Sequence, residues 1–98
     1  MNPTNKSVEI SNAIDSLIDT ADCIVLCSPF SEYSSGIDIV SVCVIGTHEL
    51  YTETINKWHE DIRKLLDSDK TLQDVYIEKA VLVEEQTTVF FRINFTQI

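Results

Sequence analysis

Three cysteines and two histidines are the side chains of this chain best suited to act as nucleophile, base or metal ligand. Their spacing argues against each use. Cys23 and Cys27 are four apart in the apolar run "CIVLCS", which reads as a strand. On a strand they share a face but stand roughly 13 Å apart, too far to bind one zinc ion together. His48 and His59 are eleven apart in a segment with helical periodicity. That separates them by about 16 Å along the axis, and neither belongs to an H-E-x-x-H pair. Six positions after Cys27 stands Tyr33, where a phosphate-cradling cysteine loop needs an arginine. A nucleophile needs a base beside it in space, and no local signature sets one there. The expectation is no catalytic residue, no metal and no cofactor. The cysteines are odd in number and each lies in an apolar run. They are expected to be reduced and to act as small hydrophobes.

The segment "CSPFSEYSSGIDIV" has an outline similar to that of a nucleotidyltransferase. In that family a strand ends in Gly-Ser and the next strand carries paired Asp residues that hold two metals. Here the glycine is missing and Gly36 stands where the first Asp belongs. Asp38 alone cannot hold two magnesium ions. What remains of this reading is a divergent or inactive enzyme. A lone Gly36 makes no phosphate-binding loop. The other reading is a connection. Pro29 ends a first strand, Gly36 turns the chain into a second, and Phe30 and Tyr33 beside Glu32 form a contact patch between them.

Charge points to a partner. Sixteen acidic residues against seven basic ones give a net charge of −9. Such a surface attracts cations over long range. It disfavours nucleic acid, whose phosphates need Lys and Arg, and anionic membranes. Asp15, Asp19 and Asp22 are spaced as an acidic ridge at the end of a first helix, where the helix dipole opposes them. Glu84 and Glu85 fall together at an expected hairpin tip. With Phe30, Glu32 and Tyr33 these make up the expected partner-binding set. The function expected is that of a small acidic binding protein, not an enzyme, that neutralises a basic protein partner. Its first form is an immunity or antitoxin protein blocking a toxic nuclease. The alternative is a phage-type nucleic-acid mimic that inhibits a host defence enzyme. No apolar run nears the roughly 18 residues that span a bilayer, and the first ten residues have no basic-then-apolar signal. The expected location is the cytoplasm.

Composition, at 44% hydrophobic and 23% charged, is that of a globular protein, so residues 1–98 are expected to form one α+β domain. Ile10, Ala13, Ile14, Leu17, Ile18 and Ala21 make a helical stripe over Lys6 to Ala21. "CIVLCS" and "GIDIVSVCVIG" read as strands buried on both faces, which favours a parallel neighbour. A second helix, His48 to Leu66, is capped by Thr47. Its stripe is Tyr51, Ile55, Trp58, Ile62, Leu65 and Leu66, with Glu53–Lys57 and Glu60–Lys64 pairs outside. After the turn "DSDKTLQD", period-two alternation gives two strands joined around Glu84 to Thr87. The order α-β-β-α-β-β predicts a two-layer sandwich: a four-stranded mixed sheet with two helices on one face.

Overall fold

The computed structural model describes residues 2–18, 22–32, 35–81 and 87–98. Helix α1 (Asn5–Leu17) starts at an extended Thr4, whose side chain accepts from the Ser7 N–H at 3.1 Å. Ser7 is itself buried, and its hydroxyl donates back to the Thr4 carbonyl at 2.8 Å. This reciprocal cap satisfies groups that a helix start leaves unpaired. Ile10 and Ile14 bury on one side, as the periodicity predicts, and Ile18 buries just past the helix end. The helix stops earlier than expected. The Ile18 N–H closes on the Ile14 carbonyl at 3.0 Å, and Asp22 lies in the turn before the first strand. The last turn holds no basic residue. Extending it would have brought Asp19 and Asp22 to the negative end of the dipole.

Four strands follow: β1 (Cys23–Ser31), β2 (Asp38–Gly46), β3 (Leu72–Val81) and β4 (Thr88–Gln97). Their order in the sheet is β1-β2-β4-β3, and every neighbouring pair is antiparallel. The expected mixed sheet is therefore corrected to an antiparallel one. The reason is the insertion of β4. It runs opposite to both β2 and β3, so those two strands point the same way without touching. Apolar residues on both faces of β2 reflect its central place rather than a parallel partner. The other correction is at β1, which is an edge strand buried on one side only. Ile24 and Leu26 are 60% and 54% exposed. Pro29 does not end β1 but sits within it opposite Val40, where an edge strand tolerates a missing donor. Gly36 makes the expected turn with φ +69°, and its N–H donates to the Glu32 carbonyl at 3.0 Å.

Helix α2 (Thr52–Asp67) begins after Tyr51 rather than at His48. Thr47 does not cap it. The Thr47 N–H donates to the Asp22 carbonyl at 3.2 Å, and Leu50 turns inward to bury over Gly46. A Cβ on Gly46 would stand 2.8 Å from Leu50 Cδ2 and 3.1 Å from the His48 carbonyl oxygen, so a larger residue here would push the Leu50 side chain aside. Tyr51 is 70% exposed and leaves the expected stripe, while Ile55, Trp58, Ile62 and Leu66 bury. Glu60 pairs with Lys64 at 3.3 Å, but Lys57 reaches forward to Asp61 at 2.9 Å instead of back to Glu53. α1 packs on β1 and β2, α2 packs on β3, and the two helices touch. Their buried residues join Val40, Val42, Val44, Val89, Phe91, Ile93 and Phe95 in one core.

β3 starts inside the expected turn and carries an irregularity between Gln73 and Tyr76, with Asp74 at φ +54°. The extra residue shifts the parity of the strand, so Leu72 and Ile77 both face inward. Val83 and the joining residues 82–86 lie outside the described residues.

Asp69 ties the start of β3 to α1. It accepts from the Thr71 hydroxyl at 2.6 Å, the Thr71 N–H at 3.0 Å and Lys6 Nζ at 3.0 Å. The Thr71 hydroxyl, then its N–H, then Lys6 hold the Asp69 carboxyl at about 2, below its ordinary 3.8. A folded pKa lowered in this way stabilises the fold above the unfolded value, and that contribution fades as pH falls toward the folded one. Asp69→Asn should therefore flatten the loss of stability between about pH 4 and pH 2. Urea melts at pH 7, 4 and 2.5 would read this. Parallel losses in both proteins would show that Asp69 carries no acid-labile stability.

Candidate functional site

Asp15 is exposed in the last turn of α1, and Asp22 is exposed in the turn that follows. Of the ridge expected from Asp15, Asp19 and Asp22, Asp15 lies on α1, which ends at Leu17, and Asp22 lies beyond the helix. Glu32 is exposed at the end of β1. Phe30, two residues before Glu32, lies on the sheet face that also carries Ile24 and Leu26, the face opposite the one α1 covers. Asp19, Tyr33, Glu84 and Glu85 lie outside the described residues.

Cys23, Cys27 and His59 pack against the core or its edge. Cys23 and Cys27 point to the core side of β1, and all three cysteines are free and half-buried. Burial, and then the Asp15 charge, pushes the Cys27 thiol up to about 11 from 9.0. Two pH units leave roughly 100-fold less thiolate, the reactive form. Native protein at pH 8 should thus label at Cys27 about 100-fold more slowly than denatured protein, as read by mass spectrometry after a timed maleimide pulse. Rapid native labelling would restore Cys27 as a nucleophile. His59 stacks on Phe91 with ring centroids 6.1 Å apart and planes 8° from parallel. Burial, then Lys79 and Arg63, lowers its pKa and favours the neutral ring. Among the described residues, no three His, Cys, Asp or Glu side chains are placed to hold a metal ion.

Asp38 is only 2% exposed, and its role was not legible in the sequence. Its carboxylate accepts from the Ser31 hydroxyl at 2.6 Å and from Gln97 Nε2 at 2.8 Å. Ser31 Oγ in turn accepts from the Thr4 N–H at 3.1 Å. One buried carboxylate thus links the start of α1 with β1, β2 and β4. It borders a polar crevice of about 520 Å³ lined also by Glu32, Ser35 and Thr96. The single hydroxyl proton of Ser31 is given to Asp38. Among the described residues, no histidine lines this crevice.

A second crevice, of about 390 Å³, opens where β2 leads into α2. Buried Leu50 and Trp58 line it together with exposed Asp22, His48, Glu49 and Tyr51. Carboxylates beside aromatic rings suit a lysine or arginine side chain. Cys23 also lines it, but no hydrogen bond joins Cys23 to His48 among the described residues.

The charge is unevenly placed. From Ser7 to Asn56 there are eight acidic residues and no Lys or Arg. This segment forms α1, β1, β2 and the approach to α2, and Glu9, Asp15, Asp22, Glu32, Glu49 and Glu53 are exposed on it. Six of the seven basic residues lie beyond it, on α2, β3, β4 and their joins. Counting along the chain reveals this asymmetry, which a single net charge conceals. No family model, curated protein or solved structure matches the chain.

Proposed function

We propose that this protein binds a basic protein partner and blocks it, as an immunity or antitoxin protein blocks a toxic nuclease. The observation that carries the reading is the fifty-residue span with eight carboxylates and no cation. In a nuclease groove, carboxylates take the place of substrate phosphates, and complementary charge speeds encounter. The crevice at Trp58 gives one cationic side chain a place to insert between Asp22 and Glu49. Such a buried anchor sets the lifetime of a complex, while exposed charges at the rim set its rate of formation. We read both helices as one layer on one face of the sheet. Reduced cysteines suit the cytoplasm.

The test is affinity capture from the producing cell's lysate at low salt, elution by salt, and an activity assay of what elutes. A basic nuclease inhibited at one-to-one stoichiometry supports the reading. Capture of a DNA-binding defence enzyme would favour the nucleic-acid mimic instead. Recovery of neutral or acidic proteins whose release does not depend on salt would overturn both.

A further inference from the structure

The sheet face that carries Phe30 exposes several large apolar side chains, although Ile39 on it is buried. Register places Ile24 beside Ile45, then Leu26, Cys43, Phe90 and Ala80 in one row across all four strands. The next row is Ser28, Ser41, Arg92 and Glu78, and the last is Phe30, Ile39, Asn94 and Tyr76. Ile24, Leu26, Phe30, Ile45, Tyr76 and Phe90 are all large, apolar or aromatic, and substantially exposed. A monomer seldom leaves so many together in water. The Asn94 Oδ1 on this face is buried without a hydrogen-bond partner.

We infer that this face is where two copies of the chain pack, sheet against sheet, as an isologous dimer. Charge favours a second copy over a cationic partner here. The chain carries −9, yet the charged side chains in these rows are Arg92 and Glu78, which cancel. The exposed carboxylates of α1 lie on the other side of the sheet, and those nearest these rows, Glu32 just after β1 and Asp74, which accepts from Thr96 Oγ1 at 3.3 Å, sit at one end of the face, so two acidic chains meet at its centre without opposing like charges. The shape also fits. Leu26 and Phe90 flank a hollow of about 400 Å³ over Ser28, Ser41 and Cys43, so a twofold axis can seat each copy's ridge in the other's hollow. Four strands about 4.8 Å apart, each about nine residues of roughly 3.4 Å, present roughly 600 Å². Two such faces give about 1,200 Å², above the roughly 1,000 Å² that a specific interface needs. This inference does not depend on the proposed function. It leaves the Asp22–Trp58 crevice open, because that crevice shares no residue with these rows.

Sedimentation velocity and light scattering on the intact chain test it. The wild type should show twice the 11.1 kDa chain mass at about 100 μM. Leu26→Glu and Phe90→Glu, at positions exposed in one copy, should each run as folded monomers with unchanged far-ultraviolet circular dichroism. A wild type that stays monomeric at 1 mM would overturn the inference, and so would a dimer indifferent to both substitutions. If the variants fail to fold, cross-linking of wild type decides. Packed sheets lie about 10 Å apart, so a bismaleimide should join Cys43 to Cys43 of the second copy in preference to Cys23 or Cys27. Cross-links through Cys23 or Cys27 alone, or none, would count against this face.

Discussion

Trp58→Ala should cost about 3–5 kcal/mol and lower the melting temperature by more than about 12 °C. Trp58 is 5% exposed in the middle of α2, between Ile55 and Ile62, which are also buried. Truncation removes apolar contact with the core and leaves a space that the neighbouring side chains only partly fill. A domain of this size has a total stability of about 5–15 kcal/mol, so the loss takes a large share of it and, at the lower bound, leaves much of the population unfolded at 37 °C. Trp58→Phe keeps a ring in the same space and should lose far less. The chain has one tryptophan, so circular dichroism melts must replace fluorescence. A Trp58→Ala protein that melts with the wild type would mean that the α2 stripe does not carry the core.

The same stripe shows what the sequence could and could not disclose. Ile55, Trp58, Ile62 and Leu66 recur at helical spacing and bury as that spacing predicts. Tyr51 has the same spacing but sits before the first turn, because the Gly46–Leu50 contact takes up the residues expected to start the helix. Alternation in β4 was legible for a similar reason. Val89, Phe91, Ile93 and Phe95 face the core and their neighbours do not. Alternation does not reveal which strand lies beside which. Apolar residues on both faces of β2 report a central place in the sheet but not the direction of its neighbours. At β1, "CIVLCS" is apolar at every position save the last, so nothing local marks Ile24 and Leu26 as outward-facing. Of the partner-binding set, the exposure of Asp15, Asp22 and Glu32 followed from composition. The burial of Asp38 did not, because its partners Ser31 and Gln97 are remote in sequence.

Reversing charge at Asp15 and Asp22 is the second change expected to have a large effect, and it should act on binding rather than folding. Both residues are exposed, and neither side chain makes a hydrogen bond or ion pair among the described residues. Lysine in the last turn of α1 suits the helix dipole better than Asp15 does. Each Asp→Lys change adds two charges, so the double variant moves from −9 to −5. Its melting temperature should stay within a few degrees of wild type. Its association with the basic partner should slow by roughly 10-fold at low salt, while dissociation changes little, because rim charges act on encounter.

The most direct measurement is the association rate of that partner as a function of ionic strength, for wild type and for the Asp15→Lys, Asp22→Lys variant side by side. Stopped-flow fluorescence of Trp58, which lines the crevice beside Asp22, supplies the signal. Salt shortens the reach of exposed charges to about 3 Å at 1 M. The wild-type rate should fall steeply as salt rises. The variant should start lower, fall less, and meet the wild type at high salt. Superimposable curves at every ionic strength would contradict the claim that the acidic half of this protein guides a basic partner to it.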